Sequence, residues 1–221
     1  MTTLDFPGTV SALLFTLGCN FCCPYCHNPE LAGEAQPGDE SSDLEGLFAF
    51  LRKRQGLLDG LVISGGEPCL QPDLPAFCRA VKEFNYKIKL DTNGSRPEVL
   101  QELFAAQLLD YVAMDLKAPL DEYAPFGQAS ETTGVSQSLT LLKSFDLPHE
   151  FRTTCAAPFV HAGNIDEMAR LVGKSPWFLQ KARLDDNVLR PQEPMRPLSE
   201  TEMAALLEQA LKFAPLTRIR A

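Results

Sequence analysis

The chain has 221 residues, 45% hydrophobic and 22% charged, with 20 Lys and Arg against 29 Asp and Glu, a net charge of −9. Such a chain can bury one sizeable core, and its negative charge argues against nonspecific binding to nucleic-acid phosphates or to an anionic membrane surface. No apolar run approaches the roughly 18 residues of a membrane span, and MTTLDFPGTVSALLF lacks the basic region of a signal peptide, so a cytoplasmic protein is expected.

In chain order, an apolar strand over 10–15 comes first and runs into GCNFCCPYCHNPE. Ser42-Asp-Leu-Glu45 reads as a capping box ahead of a helix with Leu44, Leu47, Phe48 and Leu51 on one face. A strand over 61–63 leads into Ser64-Gly-Gly-Glu-Pro68, and a helix with Leu74, Phe77, Cys78 and Val81 follows. A third strand over 88–90 ends at Asp91-Thr-Asn-Gly94, and Ser95-Arg-Pro-Glu98 starts a helix with Pro97 in its first turn. The fourth strand, 111–114, ends at Asp115 and Lys117, ahead of a helix with Val135, Leu139 and Leu142. A fifth, 151–154, carries Arg152, and Asn164 is placed to cap a helix with Ile165, Met168, Ala169 and Val172 inward. A sixth strand, 177–179, is followed by Ser199-Glu-Thr-Glu202 opening a helix with Met203, Leu206, Leu207 and Ala210. Segments 27–41 and 184–198 are rich in Pro, Gly and acidic residues and read as loops.

Strand then helix, about six times over, predicts an α/β fold with parallel strands in one domain over 1–221. Six units suit a partial barrel or an open doubly wound sheet. In both, ligands bind at the carboxyl ends of the strands. The cysteine loop, the Gly-Gly-Glu-Pro turn, Asp91 with its neighbours, Asp115 with Lys117, and Arg152 should therefore converge on one site.

Seven cysteines, four of them within eight positions, suit a metal centre better than a disulfide framework. Cys19, Cys22, Cys23 and Cys26 can be read as a doubled C-x2-C, a four-thiolate zinc knot. Alternatively, Cys19, Cys23 and Cys26 form C-x3-C-x2-C, three thiolates for an iron–sulfur cluster with one iron left open. Zinc modules normally separate their ligand pairs to staple two chain segments, and here there is nothing to staple. The three-thiolate reading is preferred, with Cys22 as a buried small residue or a chance neighbour. Cys78 reads as core, Cys155 has no assigned role, and Cys69 is structural or lies near the site.

Each remaining motif has a plain reading beside a functional one. Gly65, Gly66, Glu67 and Pro68 form a turn, or a backbone cradle for the amino group of an amino-acid-like ligand. Asp91 and Asp115 are helix caps or surface groups, or together hold a ligand ammonium or a cation. Lys117 can pair with a ligand carboxylate. Arg152 on a buried strand needs an anion, from a ligand or from the protein. His27 can order the cysteine loop or touch a cofactor, and Tyr25 packs within the loop or against an adenine edge. His149 and His161 are background.

With these residues in view, Cys19-x3-Cys23-x2-Cys26, with Tyr25 before the last cysteine, resembles the signature of the radical S-adenosylmethionine (radical SAM) enzymes. Cys-His-Asn-Pro at 26–29, Gly-Gly-Glu-Pro at 65–68, Asp-Thr-Asn-Gly at 91–94 and Met-Asp-Leu-Lys at 114–117 resemble the glycyl-radical-enzyme activases. The start, LDFPGTVSALLFTLGCNFCCPYCHNPEL, looks most like the activating proteins of anaerobic ribonucleoside-triphosphate reductase.

The resemblance implies a partial (β/α)6 barrel of the TIM-like type. It implies a [4Fe–4S] cluster on Cys19, Cys23 and Cys26, with S-adenosylmethionine chelating the open iron. Tyr25, His27, Gly65, Gly66, Glu67, Pro68, Asp91, Asn93, Asp115, Lys117 and Arg152 would line the S-adenosylmethionine site, and Asp91, Thr92 and Asp115 could hold a monovalent cation. The implied chemistry is reductive cleavage of S-adenosylmethionine and abstraction of a glycine hydrogen atom from a partner glycyl-radical enzyme, foremost anaerobic ribonucleotide reductase. A flavodoxin or ferredoxin would donate the electron, and neither nucleic acid nor membrane would take part. The alternatives are an activase of the pyruvate formate-lyase type, a radical SAM enzyme acting on a small molecule, and, in a different class, a noncatalytic zinc module. LQKARL, from Leu179, departs from the pyruvate formate-lyase activases, and the second cysteine-rich insert of several activases is missing.

Overall fold

A computed structural model of the protein describes residues 5–32, 44–184 and 195–220. Six strands follow one another across a parallel sheet: β1 (Ser11–Thr16), β2 (Gly60–Gly65), β3 (Lys87–Thr92), β4 (Tyr111–Asp115), β5 (His149–Ala157) and β6 (Trp177–Lys181). Between them lie α1 (Pro29–Ala32), α2 (Leu44–Lys53), α3 (Leu74–Lys82), α4 (Pro97–Ala105), α5 (Ala129–Ser144) and α6 (Ile165–Val172). A two-residue β7 (Arg196–Pro197) pairs antiparallel with β5, and α7 (Glu200–Ala210) leads to β8 (Thr217–Arg220), which adds parallel to β6. The sheet stays open between β1 and β8. This is the expected α/β architecture of a partial barrel.

The helices form where apolar side chains recur at helical spacing. Ile165, Met168, Ala169 and Val172 bury one side of α6, and Leu74, Cys78 and Val81 do so on α3. Pro97 sits in the first turn of α4, where its missing N–H costs nothing. Ser199 and Glu202 complete a reciprocal capping box on α7: the Ser199 hydroxyl accepts from Glu202 N at 3.2 Å, and the Glu202 carboxylate accepts from Ser199 N at 2.8 Å. Among the described residues, no helix is long and apolar enough to cross a membrane.

Some local expectations are corrected. Leu44 is half exposed, so the buried side of α2 is built by Leu51 with Leu47 and Phe48. The proposed box at Ser42 lies outside the described residues. Asn164 precedes α6 but does not cap it with its side chain, whose amide donates to Phe159 O and Glu122 while its oxygen accepts from His161 N. Segments 27–41 and 184–198 are not wholly loop, since they contribute α1 and β7.

Strand pleating puts alternate residues on one face. Lys89 and Asp91 share a face of β3, Tyr111 and Asp115 of β4, and Glu150 and Arg152 of β5. That face is a ladder of paired charges. Glu150, buried, takes both terminal nitrogens of Arg220 at 2.7 and 2.8 Å and the Tyr111 hydroxyl at 2.9 Å. Towards the carboxyl ends the ladder continues into the site.

Candidate active site

The loops at the carboxyl ends of β1 to β5 enclose one cavity with about 790 Å³ of space including its open mouth. Its wall includes Cys19, Cys23, Cys26, Tyr25, His27, Gly65, Gly66, Asp91, Thr92, Asn93, Asp115, Lys117 and Arg152. The separate motifs of the sequence thus meet at one place.

Three of the four clustered cysteines face this cavity, and Cys22 does not. Cys22 is exposed, with its Sγ turned to Phe126 O at 3.7 Å, so it is no buried core residue. The loop is shaped by its own backbone. Gly18 N donates to Leu31 O at 2.9 Å, Cys26 N to Cys23 O at 3.0 Å, and Cys22 N to Phe126 O at 2.8 Å. Among the described residues, no three His, Cys, Asp or Glu side chains gather around a single metal-ion position. A four-thiolate knot would need Cys22 beside the other three, and its Sγ turns to Phe126 O instead. A cubane cluster asks for something else, since each thiolate meets a different iron. Three cysteines on one cavity wall, with the fourth turned away, fit that donor set.

The glycine turn is pressed against the cysteine loop. Gly66 N donates to Thr16 O at 2.9 Å and Glu67 N to Gly18 O at 2.8 Å. A Cβ on Gly66 would lie 2.0 Å from Gly18 O, so only glycine permits the approach. Gly65 has φ +109°, a conformation side chains rarely adopt. Glu67 and Pro68 do not line the cavity. Pro68 is buried in a 3-10 turn, Pro68–Leu70, behind the cavity. Glu67 turns into the protein because three donors await it there: Cys69 N at 2.9 Å, the Thr92 hydroxyl at 2.8 Å and Asn93 N at 2.6 Å. Burial pushes its carboxyl above the ordinary range, against those hydrogen bonds.

Asp91 and Asp115 are held by the protein itself. Arg152 bridges them, Nε to Asp115 at 3.0 Å and a terminal nitrogen to Asp91 at 3.1 Å. Lys89 adds a 2.5 Å contact to Asp91, and Lys117 one of 3.4 Å to Asp115. Burial works against the charge on Arg152, but Asp115 and Asp91 outweigh it and raise its pKa. Burial likewise opposes ionisation of Asp115, and Arg152 with Lys117 overcomes it and lowers the carboxyl. The structure gives no support for the expected monovalent cation at Asp91, Thr92 and Asp115. The Arg152 guanidinium lies between the two carboxylates, and the Thr92 hydroxyl donates to Glu67.

Tyr25 packs on Phe126 and Phe159, both at 5.8 Å between ring centroids, and among the described residues its buried hydroxyl has no hydrogen-bond partner. Cys69 is buried with its Sγ 3.7 Å from the Thr92 hydroxyl, outside the cavity wall, and Cys78 and Cys155 are core. Sequence reasoning missed Phe21, Asn28, Ser64 and Thr154, which also line the cavity, and Lys89, which braces Asp91. For Lys89 the signal was available: opposite charges two apart on a strand share a face.

A profile of the radical SAM superfamily matches residues 13–171. A protein of Methanocaldococcus jannaschii assigned by name to the glycyl-radical enzyme activating enzymes is 37% identical over 183 residues, 78% of this chain and 72% of that relative. A pyruvate formate-lyase-activating enzyme of Staphylococcus aureus is 36% identical over 96 residues, 42% of this chain and 38% of its own length. Among solved structures, Streptococcus suis SuiB bound to S-adenosylmethionine shares the fold with a TM-score of 0.70 at 12% identity, over 96% of this chain and 50% of that one.

Proposed function

The chain belongs to the radical SAM superfamily, and on that premise we propose that it installs a glycyl radical on a partner enzyme. The observation that carries this reading is the 37% identity with an assigned activating enzyme across 78% of the chain. Anaerobic ribonucleoside-triphosphate reductase is the leading partner, on the likeness of the segment before and through the cysteine loop. The match to a pyruvate formate-lyase-activating enzyme favours a second reading, a partner of that type.

Cys19, Cys23 and Cys26 would hold the [4Fe–4S] cluster, and Gly65, Gly66, Asp91, Asn93, Asp115, Lys117 and Arg152 the S-adenosylmethionine beside it. When bound, these groups supply one-electron reductive cleavage of S-adenosylmethionine and hydrogen-atom abstraction from glycine. The chain's own residues bind and orient. The two site carboxylates face three cations, Lys89, Lys117 and Arg152. Lys117 is the least closely held, at 3.4 Å from Asp115, and would meet a ligand carboxylate. The backbone of Gly65 and Gly66 offers close approach to a ligand amino group. Tyr25 and Phe21 wall the cavity with rings. A flavodoxin or ferredoxin would supply the electron in a cytoplasmic setting.

The test is anaerobic reconstitution with iron and sulfide, addition of S-adenosylmethionine and dithionite, and assay of 5′-deoxyadenosine. A glycyl-radical signal should then appear on the added reductase. Cys22→Ser should keep both the cluster and the product, while Cys23→Ala should lose both. Stoichiometric zinc with no iron in the purified protein would defeat the reading.

A further inference from the structure

The cysteine loop is gripped from one side by residues that follow β4. Cys22 N donates to Phe126 O, and the Phe21 ring approaches Gly127 so closely that a Cβ there would lie 2.9 Å away. Asn20, next to Cys19, makes the third contact. Its amide nitrogen donates to Glu131 Oε2 at 2.6 Å and to Ser95 Oγ at 2.9 Å. Its amide oxygen accepts from Asn93 Nδ2 at 3.0 Å, and that same Asn93 nitrogen lies 4.0 Å from the Cys19 sulfur. Asn93 is fixed in turn, its oxygen accepting from Ser95 N at 2.9 Å.

Glu131 lies in the first turn of α5 and is buried, at 9% exposure. Burying the apolar stripe of α5 does not call for a carboxylate there, and a buried carboxylate is costly unless its partners use it. Among the described residues the Glu131 carboxylate has two partners, Arg96 at 3.1 Å and Asn20. One turn on, a Cβ at Gly134 would lie 2.3 Å from Ser95 O, so α5 is seated directly on the loop after β3. The helix, that loop and the cysteine loop thus meet around one amide.

We propose that Glu131 is a positioning residue for the cluster: acting through Asn20, it fixes the loop that carries Cys19 and holds the Asn93 amide towards the Cys19 sulfur. The inference rests on the cluster reading given above. Partners behind the direct ligands orient them, and removing such partners typically costs about 10–100-fold in metal affinity or activity.

The test uses the full chain, reconstituted anaerobically, with the rate of iron loss to a ferrous chelator as readout and unfolding of the metal-free protein as control. Glu131→Ala should release iron about 10-fold faster or more. Glu131→Gln keeps an acceptor oxygen for Asn20 and should hold iron as wild type does. Asn20→Asp sets a second carboxylate against Glu131 and should also release iron quickly. General destabilisation would instead show in the unfolding of the metal-free control and would not separate the two Glu131 variants. A wild-type rate in Glu131→Ala, or iron loss from Glu131→Gln as fast as from Glu131→Ala, would overturn the inference alone. Failure of the wild-type chain to take up a cluster would instead overturn the reading beneath it.

Discussion

The carboxylate of Glu67, in the turn after β2, accepts a hydrogen bond of 2.6 Å from the backbone N–H of Asn93, beyond the end of β3. Two cavity walls are fastened together by a side chain that never reaches the cavity. The other Glu67 oxygen takes Cys69 N and the Thr92 hydroxyl, so every contact is a donor aimed at an acceptor.

Glu67→Gln is expected to destabilise the protein by about 1–3 kcal/mol, the usual range for a buried group set against the wrong partner. Either orientation of the amide points an N–H at a backbone N–H, of Cys69 or of Asn93. Denaturant unfolding of the metal-free protein checks this, and a stability equal to wild type would show that the fastening is not needed.

Arg152 joins β5 to β3 and β4 through Asp91 and Asp115. Arg152→Met leaves two carboxylates facing each other across the site without their shared cation. Removing one partner of a buried pair costs about 3–5 kcal/mol, and about 3 is expected here because the Asp115 side chain is 36% exposed. Asp91→Asn in the same chain should recover part of the loss. An additive double mutant would mean that the pair is not coupled.

Asp115 gives the site a pH dependence whose sign is fixed. Its carboxyl is lowered in the fold, so its stabilisation is complete above the unfolded pKa of about 3.9 and is lost as pH falls through the lower, folded value. The stability difference between wild type and Asp115→Asn should therefore be constant from neutral pH down to about 4 and close below it. Chemical unfolding at a series of pH values would measure it, and a gap that closed near pH 6 would refute the assignment.

The architecture was legible because each strand is a short apolar run and each helix carries a periodic stripe. The convergence at the strand ends was legible for the same reason, since topology alone brings Cys26, Gly66, Asp91 and Asp115 to one end of the sheet. What a sequence does not carry is which way a polar side chain turns. Glu67 sits in the same motif as Gly66 yet points inward, because three donors lie behind it. Arg152 could have met a ligand or a protein carboxylate, and three-dimensional placement put two protein carboxylates beside it. Asn20 and Glu131 are 111 positions apart, and no local pattern links them.

Gly66 and Gly127 both touch the cysteine loop, but they meet different kinds of atom. A Cβ on Gly66 would lie 2.0 Å from Gly18 O, 2.7 Å from Gly18 C and 2.8 Å from Leu31 O, all backbone, so the loop itself would have to move. The three atoms nearest to one on Gly127 all belong to the Phe21 ring, the first at 2.9 Å, and a ring can turn. Gly66→Ala should therefore cost more than the about 1–3 kcal/mol of ordinary overpacking and should abolish iron uptake. Gly127→Ala should stay within that range and keep the iron. Iron content and unfolding midpoint, measured on both variants, test the ordering. Equal behaviour would mean that the Gly66 turn and the cysteine loop can separate without loss, and that the close approach between them does not hold the site.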